Sequence, residues 1–175
     1  KKLARQQNIL AKRREVAKKE ARNLSDNRNY QKQKIKVAKI YEKITNARKD
    51  FLHKLSFTII KNHDVIAIED LNVKGMVKNR SLAKAISDSS WSSFISMLTY
   101  KAEWYRKMLV RIDRWYPSSK TCSNCNHLLS KAELPLSLRQ WQCPSCKQDN
   151  DRDINASINI LNAGLIMATI KTVGA

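Results

Sequence analysis

The spacing Cys122-x2-Cys125-x17-Cys143-x2-Cys146 constrains this chain more than any other feature of it. Each C-x-x-C turns two sulfurs toward one point, and two such turns about 15 to 20 residues apart close a four-thiolate tetrahedron around zinc. A closed tetrahedron leaves no open position for water or substrate, so a metal held this way is structural. A segment as short as residues 118–148, interrupted by Pro135 and Pro144, could not hold itself together without the metal. His127 could substitute as a ligand, but four cysteines already fill the shell. Knuckles of this kind favour glycine just after the second cysteine, where φ > 0 is convenient; Asn126 and Lys147 stand there instead. Asn tolerates that conformation and Lys does so less readily. With no secretory signal in view, paired C-x-x-C motifs point to a reducing compartment, the cytosol or nucleoid, rather than to disulfides.

Charge narrows the partner. The 175 residues carry 34 Lys+Arg against 15 Asp+Glu, a net +19, an excess of the sign that concentrates phosphates around a protein. Nucleic acid is the first partner to consider. An anionic membrane would also attract the chain, but no stretch approaches the roughly 18 to 20 apolar residues of a spanning helix. Residues 1–50 hold 17 of the Lys and Arg with five Asp and Glu. Leu3, Ile9, Leu10 and Val16, then Ile35, Val37, Ile40, Ile44, Leu52 and Leu55, recur at helical spacing around the polar break 23–30, which predicts a basic hairpin of two helices over 1–60. The plainer reading is a solvated helix face; a helical arm for a protein partner is a further alternative. The chain opens on Lys1 inside a helical pattern and reads as a piece of something longer.

Residues 61–117 predict a β-α-β unit. The apolar run 65–68 suits a buried strand with Glu69 at its carboxyl end. Residues 81–108 read as a helix with the stripe Trp91, Phe94, Leu98, Ala102 and Tyr105, and 109–117 as a second strand closed by Pro117. Trp91 and Trp104 fall on the packing pattern, while Trp115 and Trp141 could stack on bases. A crossover of this kind favours parallel strands and an α/β sheet, whose functional groups gather outside the carboxyl ends of strands. Residues 149–175 return to helix. Asp149, Asp151 and Asp153 precede it, and Asn155 and Asn159 share one of its faces. One Asp is expected to cap that helix. A second reading makes Asp153 and Glu69 ligands of Mg²⁺, since hard cations take oxygen ligands and paired metals assist phosphodiester cleavage. By itself Glu69 could equally be a solvated strand end.

The segments "VIAIEDLNVKGM", "YPSSKTCSNC", "WQCPSC" and "DRDINASINIL", in this order, resemble the C-terminal half of the TnpB/OrfB proteins of bacterial insertion sequences, relatives of the type V CRISPR effectors. The resemblance implies an incomplete RNase H-like (RuvC) α/β domain with the zinc ribbon inserted before the final helix. It implies an RNA-guided, Mg²⁺-dependent DNA endonuclease of transposition and recombination in the bacterial cytosol, with DNA and a guide RNA as partners. By residue, Glu69 matches the second catalytic acid and Asp153 the third, and Cys122, Cys125, Cys143 and Cys146 match the zinc ligands. Nothing in the chain matches the strand bearing the first catalytic Asp, so it is expected not to cut DNA alone. The alternative is a non-catalytic zinc-ribbon module that binds nucleic acid. Lys120, Arg139 and Arg152, near the ribbon, are the candidate phosphate contacts. Asn150 and Ser157 depart from the common pattern without removing a ligand.

Overall fold

The computed structural model describes residues 1–81, 83–135 and 137–173, with side chains as far as residue 170; the last two residues of the expected 149–175 segment lie outside them. The chain divides into two compact units, residues 1–54 and 55–175.

The first unit contains α1 (Lys2–Lys19) and most of α2 (Arg28–Asn62). They run antiparallel, pinned by hydrogen bonds from Gln7 Nε2 to Tyr41 Oη at 2.6 Å, from Arg13 to the Asn29 carbonyl at 2.6 Å and from Gln33 Nε2 to the Gln6 carbonyl at 2.9 Å. The expected hairpin therefore forms. Its apolar seam is thin: Val37 and Leu52 are buried, but Val16, Ile35 and Phe51 stay exposed. Charged residues surround this seam, and polar cross-links take the place of a wide apolar interface.

In the second unit β1 (Val65–Glu69) pairs in parallel with β2 (Met108–Ile112), Glu69 opposite Ile112. The crossover holds α3 (Val73–Val77), α4 (Ala83–Ser89) and α5 (Trp91–Trp104), where the sequence suggested one helix. Ser90, at φ 53°, breaks the run between α4 and α5. Leu98 and Ala102 of α5 close on Ile60 to form the core, with Ile66, Phe94 and Leu109 against it. The second strand runs Met108–Ile112, starting one residue before the expected 109–117 and ending well short of Pro117, since beyond Ile112 the chain turns, with the Tyr116 N–H donating to the Asp113 carbonyl at 3.1 Å. Arg106 adopts φ 53°, and Lys107 N–H returns to the Ala102 carbonyl at 2.8 Å, a left-handed helix stop of the kind glycine usually signals. With no glycine present, the stop was invisible in the sequence. Lys107 then reaches Asp64 at 2.6 Å, fixing where both strands start; that ammonium holds the Asp64 carboxyl below its usual range.

Trp104 corrects its packing assignment: it lies 74% exposed at the end of α5, edge-on to Tyr100. It is the last residue of the helix. Trp141 corrects the opposite expectation, because it is buried in the ribbon core and offers no face to a base. Trp115 is exposed.

The cysteine segment folds around β3 (Gln140–Gln142), antiparallel to β4 (Asp149–Asp151), with Cys122, Leu129, Leu134, Trp141 and Cys143 as its core. Helix α6 (Arg152–Val173) leaves β4 directly and packs on β1 and β2. It comes close at Gly164, where a Cβ would stand 2.4 Å from the Cβ of Ala67.

Candidate functional site

The two knuckles repeat one backbone design. Cys122 N–H donates to the His127 carbonyl and Asn126 N–H to the Cys122 carbonyl, both at 2.9 Å; Cys143 with Gln148 and Lys147 with Cys143 repeat the same bonds at the same distances. Each turn needs a residue at positive φ after its second cysteine, and Asn126 and Lys147 take it at 61° and 62°. Lys147 is exposed, so little besides the backbone decides its cost. Lys147→Gly is expected to stabilise the metal-loaded protein by about 0.5–1 kcal/mol, the left-handed cost less the added chain entropy of glycine. A higher urea midpoint with an unchanged slope would show it.

The turns bring the four sulfurs within 4.8 Å of one another, with Cys122 to Cys146 at 3.7 Å and Cys125 to Cys143 at 3.6 Å. A tetrahedron with metal–sulfur bonds of about 2.3 Å has edges of about 3.8 Å, so the cysteines fit such an ion. Without it the thiols share charge unevenly. The Gln148 N–H, then the Asn124 side chain, draw Cys146 down to about 6. Cys125 feels the downward pull of the His127 N–H most, yet desolvation and hydrogen bonds from the other three sulfurs push it up to about 11. A bound dication would settle this frustration by deprotonating all four.

At the exit from β4 the three acids separate. Asp151 is the helix cap: its Oδ1 accepts from the N–H groups of Asp153 and Ile154 at 3.0 and 3.1 Å. Asp149 accepts from Gln142 at 3.2 Å. Asp153, exposed on the first turn of α6, faces the Arg139 guanidinium at 3.4 Å, with both side chains largely in solvent. That pair is worth little energetically. Glu69 is half-buried at the end of β1 and accepts from Ser118 Oγ at 2.8 Å. It lines a cleft of about 350 Å³ with Asp70, Trp91, Ser92, Arg111 and Arg114, where Arg114 pairs with Asp70. Among the described residues the one group of three or more potential metal-binding side chains is the cysteine set; Glu69 and Asp153 belong to no such cluster.

Lys120 is half-buried and Arg139 exposed. Arg152 corrects its assignment as a phosphate contact: it is 6% exposed, and its guanidinium donates to the Pro135 carbonyl at 2.8 Å and the Leu138 carbonyl at 3.4 Å. It pins the ribbon loop from within. The residues that the sequence left without a role are Ser118, Asn155 and Asn159. Two asparagines at i, i+4 on an otherwise apolar helix were the available signal, since buried amides persist only with partners; Ser118 carried none.

An α/β unit with a carboxylate at a parallel strand end and a four-cysteine cluster leading into the last helix defines the class. Residues 1–80 match the OrfB_IS605 family model, described as probable transposase, and residues 91–160 match the Cas12f1-like TNB domain. A Streptomyces pristinaespiralis protein named as an RNA-guided DNA endonuclease is 47% identical over 83% of this chain and 35% of its own length. Escherichia coli K12 InsQ, named likewise, is 32% identical over 82% of this chain and 39% of its own. A solved Cas12f1–sgRNA–target DNA complex has a chain of similar fold, with a TM-score of 0.56 at 17% identity over 93% of this chain and 42% of that one. The chain belongs to the TnpB/OrfB family, and spans a little over a third of the length of these curated relatives.

Proposed function

We propose that this chain is the C-terminal part of a transposon-associated, RNA-guided DNA endonuclease, in which a RuvC-like (RNase H-like) unit over 61–117 and 149–175 carries the chemistry. The ribbon over 118–148 holds zinc, and the basic segment over 1–60 meets nucleic acid. Glu69 and Asp153 are the two carboxylates of the Mg²⁺ site that this chain supplies. The observation that carries the reading is the division among the acids of β4 and α6: Asp151 caps the helix, while Asp153, in its first turn, stays exposed. A capping role explains one acid and not the next. Support also comes from the position of Glu69 at the carboxyl end of a parallel strand, where α/β sheets place their ligands.

Bound Mg²⁺ would polarise the scissile phosphate and lower the pKa of the attacking water. The chain's own residues do the rest. Asp153 and Glu69 hold negative charge where the cations must sit, and Arg139 balances Asp153 until they arrive. Lys120 and Arg139 offer phosphate contacts beside the ribbon, and the helical hairpin adds long-range attraction for DNA and guide RNA. Among the described residues no helix is long and apolar enough to cross a membrane. The bacterial cytosol and nucleoid are part of the proposed reading, because DNA and guide RNA are its partners there.

A second reading, a non-catalytic zinc-ribbon module that binds nucleic acid, draws on the cysteines being the one metal-ready cluster among the described residues. Both readings expect binding to DNA and RNA that weakens steeply with salt. A tight complex with another protein, insensitive to salt, would instead favour a partner-binding arm over 1–60. The two nucleic-acid readings part on whether the complete reading frame cleaves DNA with Mg²⁺, and whether Glu69→Gln removes that activity.

A further inference from the structure

Ser118 joins the ribbon to the Glu69 carboxylate. Its Oγ donates to Glu69 Oε1 at 2.8 Å, while its carbonyl accepts from Asn159 Nδ2 at 2.8 Å and from Asn155 Nδ2 at 3.4 Å. The same two amides donate to the Thr121 carbonyl, each at 2.7 Å, and Asn155 Oδ1 accepts from the Ser123 N–H at 2.8 Å. Ser118, Asn155 and Asn159 are 5%, 1% and 2% exposed. Buried amides left half-satisfied are costly, so this network favours one geometry. It clasps both sides of Cys122, the first cysteine of the cluster. Among the described residues Glu69 Oε2 has no protein hydrogen bond, so one carboxylate oxygen is held and the other left for a ligand.

We infer that Ser118 is the positioning residue for Glu69, and that the metal-closed first knuckle, held on Asn155 and Asn159, sets Ser118. The ribbon thereby orients a carboxylate that none of its own ligands touches. A free glutamate side chain loses rotamer freedom when it binds a cation; a hydrogen-bonded one has lost it already. The inference rests on the reading of Glu69 as a Mg²⁺ ligand, but its mechanical half, from knuckle to carboxylate, does not.

The test uses the full chain, zinc-loaded, labelled with ¹³C at the glutamate carboxyls. Six glutamates give six signals, and Glu69→Gln identifies the one from Glu69. Ser118→Ala should shift that signal and weaken its broadening by Mn²⁺ about tenfold in concentration, with zinc content unchanged. Ser118→Thr, which keeps the hydroxyl, should restore both. Stripping the zinc from the wild type should move the Glu69 signal in the direction that Ser118→Ala does, because it releases the same hydroxyl. A Glu69 signal indifferent both to Ser118→Ala and to zinc overturns the inference while leaving Glu69 free to be a ligand. A wild-type Glu69 signal that Mn²⁺ fails to broaden overturns the metal reading of Glu69, and with it the claim that Ser118 positions a cation ligand.

Discussion

Chelating the metal from the cysteine cluster is expected to unfold the ribbon and loosen the start of α6. The ribbon core is small, and two of its five buried members are the ligands Cys122 and Cys143 themselves. Once the ion leaves, four thiols crowd within 4.8 Å of one another with no cation to draw them together. Structural zinc in small domains contributes on the order of 10–16 kcal/mol of apparent binding free energy, more than the whole stability of most domains. Cys143→Ser should act as chelation does, because a hydroxyl at a buried vertex neither ionises nor binds zinc well. Loss should spread outward by a known path: Asn155 and Asn159 would lose the Thr121 and Ser118 carbonyls, and Arg152 those of Pro135 and Leu138. Amide exchange read by mass spectrometry checks this. Protection over residues 118–160 should collapse on chelation, while that of the α1–α2 hairpin, in the other compact unit, stays. Unchanged protection in a metal-free chain would contradict it.

The second large effect belongs to Gly164. This helix residue lies so close to β1 that a Cβ would approach within 2.4 Å of the Ala67 Cβ and 3.5 Å of its Cα. Ala67 is short and sits on a strand, so it cannot swing aside. Alanine at 164 gains about 1 kcal/mol of helix propensity and loses about 1–3 kcal/mol to overpacking; valine adds two more carbons at the same point and should cost about 3 kcal/mol. Glycine at this site therefore serves packing, since it needs no special φ. Urea unfolding checks the order wild type, Gly164→Ala, Gly164→Val. Ala67→Gly in the same chain should recover part of the Gly164→Ala loss, a coupling that independent sites do not show. Full additivity would place the strain elsewhere.

How much of this was legible beforehand depended on whether a signal was local. The cysteine spacing announced its own geometry, down to the positive φ at Asn126 and Lys147, because a knuckle is closed by neighbours in the chain. The parallel strand pair and the place of Glu69 at its end followed from a short apolar run and a crossover of suitable length. The end of α5 was hidden because Arg106 makes its left-handed stop without glycine. Trp104 was misjudged because helical spacing ranks faces but does not say how far the covering layer extends, and Trp141 because the ribbon core that buries it is assembled from separate segments of the cysteine region. Arg152 looked like a surface cation because its charge is visible in sequence, whereas the carbonyls it satisfies lie 14 and 17 residues away. Ser118 was least visible of all, since its partner Glu69 is 49 residues away.

Cleavage by the complete reading frame tests the central claim most directly. Single-turnover rates on guide-matched DNA would be measured in Mg²⁺ for wild type, Glu69→Gln and Asp153→Asn, with zinc content and DNA affinity determined on the same preparations. Removing a carboxylate from a metal-assisted phosphodiester site misplaces both cation and water, so both variants should fall by at least about a hundredfold while keeping their zinc and binding DNA as before. If the wild type cuts and both variants cut at its rate, Glu69 is a solvated strand end and Asp153 an ordinary first-turn helix residue, and the nuclease site lies elsewhere.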